Sequence, residues 1–517
     1  MSSASPHPTL IASVPLHPTS HLRALIDCPS AEALKPAALP NSDPSRSFWL
    51  HSSPDANRLA HEGSEGPLST DEADIIIIGS GLTGVGVAYW LVNGLADAAD
   101  GDGKEPLKVV VLEAREFCGG ATGRNGGHLI PFKFLAFESR QKKLGTEEAV
   151  ASRALEEYSA RSLVDVLTRN GRGDAVDLVK NGATIVLATQ AEVDQAKRDF
   201  EAAKEAGVDV GGVRWFTKEE MEKVYGVPYE ALQLPAHNLW PQKAVTELYE
   251  LAQARAHSAS SRVSLALHTY TPVTQIALAP PGSKHPSVVH TPRGAISATR
   301  IVHATNGYAS HLLPFIMNGP EAIFGVRAQI ASIRANVGTD EAFNGSESSW
   351  AVNDTSEYWF PRPHGADPGD KSKALAIVGG GRECALGPTV GVYDDSILDQ
   401  GVGRALREVL PALFPGKFEE GREPEMEWSG IMGYTKRGTP YVGPVIDPSD
   451  PSSASKYTGQ YISAGYTGHG MPRAFSCAEA TASMILSEIT GREWVKPEWL
   501  PKMWLTSERF KPGYGVA

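Results

Sequence analysis

Three glycine-rich stretches hold most of the residues in this 517-residue chain that could do chemistry. The first is Gly79-Ser80-Gly81-Leu82-Thr83-Gly84. In a GxGxxG spacing the first glycine permits a tight turn, the second lets backbone approach a diphosphate, and the third lets a helix pack closely on a strand. A helix N-terminus after such a turn offers free N–H groups and a partial positive charge, which suits an anion. Glu113 completes the set, because a carboxylate at the end of the next strand accepts hydrogen bonds from ribose hydroxyls and disfavours a 2′-phosphate. It lies 29 residues past Gly84, or 18 once a polar insert at residues 96–106 is set aside, close to the ~20 such a site needs. The second stretch follows at once: Ala114-Arg115, then five glycines within residues 119–127, including Ala121-Thr122-Gly123-Arg124-Asn125-Gly126-Gly127, and closing on His128. That density excludes a helix or an ordinary strand. It leaves a flexible surface loop or one that runs back along a bound cofactor, and its place directly after the ribose-binding strand favours the second. The third stretch is Gly465-Tyr466-Thr467-Gly468-His469-Gly470-Met471, with Pro472 at the start of a helical pattern that runs to residue 490 and stops at Gly491. Free N–H groups near Gly470 and Met471 would face whatever lies before that helix.

The elements that must position these residues are legible nearby. Residues 74–78 are an unbroken β-branched run, as in a parallel strand buried on both faces. Val85, Ala88, Val92 and Leu95 then follow helical spacing, and residues 108–112 form a second apolar strand that closes on Glu113. The pattern is a βαβ unit. Beyond it the sequence predicts helices at 146–169 and 193–206 and strands at 183–188, 263–267, 288–290, 301–304, 329–333 and 374–378, with no internal repeat. Residues 1–72, rich in Pro, Ser and Ala, read as an extended arm that docks through Phe48 and Trp49. The 48 basic and 60 acidic residues give a net charge of −12 without a basic run, so no nucleic-acid partner is expected. Cys28, Cys118, Cys384 and Cys477 form no paired motif, which fits a reducing compartment. With no basic leader and no apolar stretch long enough to span a bilayer, the expectation is a cytoplasmic protein with no membrane partner.

The three stretches together, with the Glu-Ala-Arg ending of the second strand, resemble the D-amino-acid oxidase superfamily of FAD-dependent oxidoreductases. Within it they are most similar to the branch of γ-glutamylputrescine oxidase-like and fungal FAD-dependent oxidoreductases. Further motifs carry the likeness across about residues 70–490: Ala304-Thr305-Asn306-Gly307, the 267–273 segment ending in Val273, the Val326-Arg327-Ala328-Gln329 turn, where Ala328 replaces a glycine, and Trp428-Ser429-Gly430 through Gly443-Pro444. The resemblance implies an α/β fold in which a Rossmann-like FAD-binding domain is interleaved with an antiparallel-sheet α+β substrate domain. The division implied is an arm at 1–72, FAD-binding segments at 73–145, 236–310 and 376–517, and substrate-domain segments at 146–235 and 311–375. It assigns cofactor contacts to Gly79, Gly81, Leu82, Thr83, Gly84, Glu113, Ala114, Arg115, Ala121, Thr122, Gly123, Arg124, Asn125, Gly126, Gly127, Val273, Gly307, Gly465, Gly468, His469, Gly470 and Met471. FAD is expected to bind non-covalently, since Arg124 and Met432 stand where some relatives carry the attaching His or Cys.

The activity implied is hydride transfer from a C–H beside an amine nitrogen to flavin N5, giving an imine, with O2 as acceptor and hydrogen peroxide as product. The substrate would be a small amine or amino acid. A dehydrogenase with another acceptor, oxidation of a C–O bond, and a flavin-binding sensor or assembly factor without turnover remain open alternatives. Such a reaction needs orientation and a dry site more than strong acids or bases. The candidate substrate residues are His128, Tyr358, Arg327 and Arg382. His128 could accept a proton or merely cap the loop; Tyr358 or Trp359 could wall the site or belong to the core; Arg327 and Arg382 could hold a substrate carboxylate or the flavin. Lys133 offers a charge for oxygen activation or is a surface lysine.

Overall fold

The computed structural model describes residues 34–96, 106–258, 261–317, 322–363 and 372–511. The first 33 residues of the arm and most of the polar insert expected at 96–106 lie outside the described residues. Ile75, Ile76 and Ile77 are fully buried in the strand Glu72–Ile78, which is the centre of the first sheet. It pairs in parallel with Leu107–Leu112 on one side and Gly294–His303 on the other. Val263–His268 and Gln460–Ala464 extend the sheet in parallel, and Tyr441–Pro444 closes one edge antiparallel. A strand so placed needs apolar residues on both faces, which accounts for the isoleucine run.

Helices Leu82–Ala96, Thr146–Arg169, Pro241–Ala256 and Met471–Thr490 cover one face. The first and last cross closely: a Cβ at Gly94 would come within 2.5 Å of Leu486, and one at Gly86 within 2.9 Å of Ala478. The other face is covered by an antiparallel meander of Gln275–Leu278, Ser287–Thr291 and the start of Gly294–His303, packed on Ile76, Ile78, Val110 and Leu112.

The second sheet runs Met426–Thr435, Ile323–Arg334, Leu375–Gly379, Glu357–Pro361, Ser349–Val352, Ala183–Leu187, Glu230–Leu234, Arg214–Phe216. Every pairing is antiparallel except Ser349–Val352 with Ala183–Leu187, so the antiparallel sheet expected from sequence contains one parallel step. Its strands reach Thr435, past the division expected at residue 375. The segment 326–329 is not a turn but the middle of the twelve-residue strand Ile323–Arg334, where alanine is as acceptable as glycine. The back of this sheet buries Trp350 and Trp359 against Phe414 beyond the helix Gln400–Leu413. Its front faces the first sheet. The arm docks as expected, through a short helix Phe48–His51 capped by Ser47, with Trp49 buried between Trp240, Phe360 and Trp428. No described helix is long and apolar enough to cross a membrane.

His303 ends the Gly294–His303 strand fully buried, its Nε2 2.9 Å from the Gln460 side-chain carbonyl and its Nδ1 without a partner. Burial pushes its pKa down from 6.5 to about 4. The folded state therefore refuses a proton that the unfolded chain takes up, so this contribution is intact above pH 6.5 and is lost as pH falls toward 4. Denaturant unfolding should show a loss of up to about 3 kcal/mol across that window, and His303→Leu should flatten that part of the slope.

Candidate active site

The C-terminal ends of the parallel strands, the glycine loop and the front of the second sheet enclose one long cleft. Gly79 sits at its start with φ +107°, where a side chain would meet the Ala304 carbonyl at 2.7 Å. Glu113, at the end of Leu107–Leu112, accepts hydrogen bonds from Ser80 N–H (2.9 Å), Ser80 Oγ–H (2.8 Å) and Arg115 N–H (3.0 Å). These bonds hold a buried carboxylate against the cleft wall beside Gly81, Leu82, Thr83, Ala114 and Val273, all of which line it. A Cβ at Gly81 would lie 3.1 Å from Thr122 Oγ1, the atom that accepts the Leu82 N–H. A turn without side chains, a helix N-terminus and a fixed carboxylate are the parts a dinucleotide needs.

The glycine loop forms the next wall. Ala121–Arg124 is one 3-10 turn, with Asn125 and Gly126 following along the cleft. Arg124 is buried: Nε donates to the Gly119 carbonyl (3.0 Å), and Nη1 to the carbonyls of Ser45 (2.8 Å) and Ser429 (3.0 Å). Its Nη2 is buried and unpartnered, and the residue lines the cleft. Burial lowers its pKa to about 10 against the pull of Asp395, so it carries a charge and an unused donor, which suits an anionic cofactor. Arg115 lines the cleft too, but its side chain is committed: Nη1 lies 2.9 and 3.0 Å from the two Asp395 oxygens, and Nη2 donates to Gly119. Asp395 is fully buried, and its carbonyl also accepts from Ser45 N–H, Ser45 Oγ–H and Ser429 Oγ–H.

Gly468, His469, Gly470 and Met471 line the cleft where the helix Met471–Thr490 begins. His469 stacks on Phe132 at 3.8 Å, and its Nε2 is 3.5 Å from the Glu156 carboxylate. Glu156 is fully buried, which alone would raise its pKa, yet Arg473 at 2.7 Å, His469 and Arg153 hold it well below the usual range. The histidine itself is kept below its ordinary pKa by burial, despite Glu156.

The second sheet supplies the remaining wall. Ile185, Ala351, Tyr358, Gly379 and Ile330 are paired one to the next across four strand contacts, so they share one face. Gly379 has no side chain to oppose its neighbours: a Cβ there would be 2.4 Å from Ile330 and 2.6 Å from the Tyr358 ring. Tyr358 also abuts Gly126, and His128 meets its ring edge-on at 4.9 Å. Burial raises the Tyr358 pKa to about 12, so its phenol stays neutral. His128 Nδ1 is 2.9 Å from the Gly126 carbonyl, which assigns the proton to Nδ1 and leaves a lone pair on Nε2, buried and unpartnered. Burial lowers its pKa to about 4. Arg382 lines the cleft close by, Nη1 donating to the Tyr434 hydroxyl at 2.9 Å. Among the described residues no carboxylate lies within ion-pairing distance of it.

Most of the residues singled out from sequence meet in this cleft. Arg327 does not: it is on the opposite face of its strand from Ala328, with Nη1 3.5 Å from the Asp394 carbonyl. Gly84, Gly123, Gly127 and Gly465 shape the wall without lining it. A Cβ at Gly84 would meet the Gly79 carbonyl at 1.8 Å and one at Gly123 the Cys118 carbonyl at 2.3 Å, while Gly127 and Gly465 have φ near +80°. Gly307 lines the cleft. Trp359 points into the back core, and Lys133 is neither in the cleft nor on the surface but buried, 3.2 Å from Glu157. Sequence reading missed Tyr434, Asn306, Ile185, Ala351, Asp395 and the arm residues 38–40, which reach the cleft or brace it through long-range packing. Only Asn306 and Tyr434 lay within motifs already quoted.

The family model described as FAD dependent oxidoreductase (DAO) matches residues 74–484. The probable oxidoreductase OrdL of Rhizobium meliloti is 21% identical over 433 residues, covering 83% of this chain and 87% of that protein. Glycine oxidase from Geobacillus kaustophilus superposes with a TM-score of 0.59 at 18% identity, covering 83% of this chain and 97% of that one. L-Amino acid deaminase from Proteus myxofaciens, in complex with anthranilate, gives a TM-score of 0.61 at 16% identity and covers 92% of this chain and 100% of that one. At these identities the structural likeness speaks to fold.

Two variants probe the site. Gly81→Val fills the turn and displaces Thr122, and the purified protein should lose its yellow colour; a protein that keeps stoichiometric flavin would show the turn to be elsewhere. Asp395→Asn leaves two buried guanidiniums without their shared anion and should cost about 3–5 kcal/mol in denaturant unfolding.

Proposed function

Because the chain belongs to the FAD-dependent oxidoreductase (DAO) family, we propose that it oxidises the C–N bond of an amino acid or a carboxylate-bearing amine, with dioxygen as terminal acceptor and non-covalently bound FAD. One observation carries the reading: the Arg382 guanidinium stands in the cleft with a phenol hydroxyl as its hydrogen-bond partner and no carboxylate. A half-buried cation facing the cleft in this way calls for an anion from outside the chain. The Geobacillus and Proteus proteins named above, by their names, act on amino acids.

The turn at Gly79 and Gly81, the Glu113 carboxylate, the unpartnered Arg124 Nη2 and the helix start at Gly470 and Met471 would hold the cofactor. Bound there, FAD supplies a two-electron acceptor for the hydrogen on the carbon next to nitrogen. The chain's own residues then need only bind, aim and keep dry. Arg382 and Tyr434 clamp the carboxylate by charge-assisted hydrogen bonds. His128 Nε2, a neutral acceptor, takes a hydrogen bond from the substrate N–H and orients the reacting carbon. With a pKa of about 4 it is too weak a base to hold the ammonium proton, so the amine enters neutral or gives that proton to solvent. Tyr358, also neutral, walls the site without titrating.

The decisive experiment is anaerobic bleaching of the flavin by a panel of amino acids and amines, followed by a peroxide assay in air. Bleaching by 2-hydroxy acids but by no amine would overturn the reading. Arg382→Met should keep the yellow colour while raising KM for the amino acid by roughly 100-fold. The pH profile of kcat/KM should rise with ionisation of the substrate amine, and His128→Asn should lower its height without moving its midpoint, because His128 is already neutral above about pH 5.

A further inference from the structure

We propose that the substrate carries one carboxylate and an uncharged, apolar remainder: an amino acid of the leucine or phenylalanine kind, not a diamine, a polyamine or a dicarboxylate. The inference rests on the C–N oxidation proposed above and names the substrate class of that same site.

Two observations carry it, and the first is the shape of the wall around Arg382. Ile185, Ala351, Tyr358 and Ile330 form one apolar row across the second sheet, fixed by strand register rather than by flexible loops. Leu135, in the same apolar cluster as Ile185, Ala351 and Tyr358, and Phe132, stacked on His469, add further apolar lining. A side chain lying over this row exchanges water for carbon, which is worth roughly fourfold in affinity per buried methylene.

The second observation is the count of charges. Among the described residues lining the cleft, Glu113 is the sole carboxylate. It stands at the other end, where Ser80 and Arg115 N–H groups occupy its oxygens. A second ammonium would therefore lie against hydrocarbon without a counter-ion. The cations are equally accounted for. Of the arginines, Arg115 and Arg124 flank Asp395 and Arg327 points away, while burial keeps His128 and His469 below their ordinary pKa, which leaves Arg382 to receive one carboxylate. A second carboxylate would be buried unpaired, and an unpaired buried ion is penalised on the order of 100-fold or more in affinity.

The test uses the yellow holoprotein under anaerobic conditions. Leucine and phenylalanine in both enantiomers, with their N-methyl derivatives, are compared with lysine, putrescine, glutamate and iminodiacetate by the rate of flavin bleaching. At least one apolar amino acid should bleach the flavin on the order of 100-fold more efficiently than any doubly charged compound. Equal or faster bleaching by lysine, putrescine, glutamate or iminodiacetate overturns the inference while leaving C–N oxidation standing. Bleaching by hydroxy acids alone overturns both. Binding without turnover gives a separate readout: 4-methylpentanoate should raise the thermal midpoint where glutarate does not, and the reverse order counts against the proposal. Ala351→Asp, or Ile185→Glu should the first fail to fold, places a carboxylate on the row and should shift the preference toward lysine by roughly tenfold; an unchanged ranking in a folded, yellow variant also overturns it.

Discussion

Asp395 is the constraint on which the rest of the structure depends. It is a fully buried carboxylate in an irregular segment, and it is tolerable there because Arg115 and Arg124 neutralise it from two directions. Each arginine brings a different part of the molecule. Arg115 follows the strand Leu107–Leu112, Arg124 belongs to the glycine loop, and the Asp395 carbonyl gathers the arm at Ser45 and the second sheet at Ser429. Four chain segments are thus fastened at one point, and the glycine loop is held open against the cleft rather than collapsed into it. Two guanidiniums on one carboxylate leave an excess of positive charge, and the unused Arg124 Nη2 donor shows where that excess is directed.

The loop could not be built with larger residues, because it is squeezed from both sides. Gly123 is pressed against the Cys118 carbonyl and Leu50 of the arm, and Gly126 against the Tyr358 ring of the second sheet. The glycines therefore do two kinds of work. Gly81 leaves the cleft wall bare beside Thr122; others, such as Gly79, Gly84 and Gly123, clear space for the protein's own backbone. Both kinds converge on one cleft whose far wall is a pleated row of side chains, so a flexible-looking sequence yields a site with little freedom.

How much of this could be read from the sequence follows from what is local. Ile75–Ile78, the turn at Gly79 and Glu113 lie within one βαβ unit, and their roles follow from spacing alone. Tyr358 was recognisable because it sits in a short aromatic strand, although nothing in that strand said that Tyr358, not Trp359, would face the cleft. Arg327 and Arg382 show the limit most clearly. Both are arginines beside motif glycines or alanines, yet alternation along Ile323–Arg334 turns Arg327 away, while Arg382 follows the sheet's end and turns inward. Asp395, Ile185 and Ala351 had no signal, since their importance arises from pairing between strands and loops far apart in sequence. The parallel step beside Ala183–Leu187 was hidden for the same reason.

The arm has a consequence for the order of assembly. Ser45, Ser47 and Trp49 are among the first of the described residues to be synthesised, but their partners include Ser429 and Trp428, 384 positions beyond Ser45 in the case of its hydrogen bond to Ser429. The aromatic island can therefore complete its packing only when nearly the whole chain has been made, and contacts of such long range close slowly. The glycine loop lacks its Ser429 and Trp428 contacts over the same interval. A chain cut short before residue 428 would retain the Gly79–Gly84 turn and the Arg115–Asp395 pair yet lack Trp428, Ser429 and the Gly468–Met471 wall, so the cleft is completed last although its most recognisable motif comes first.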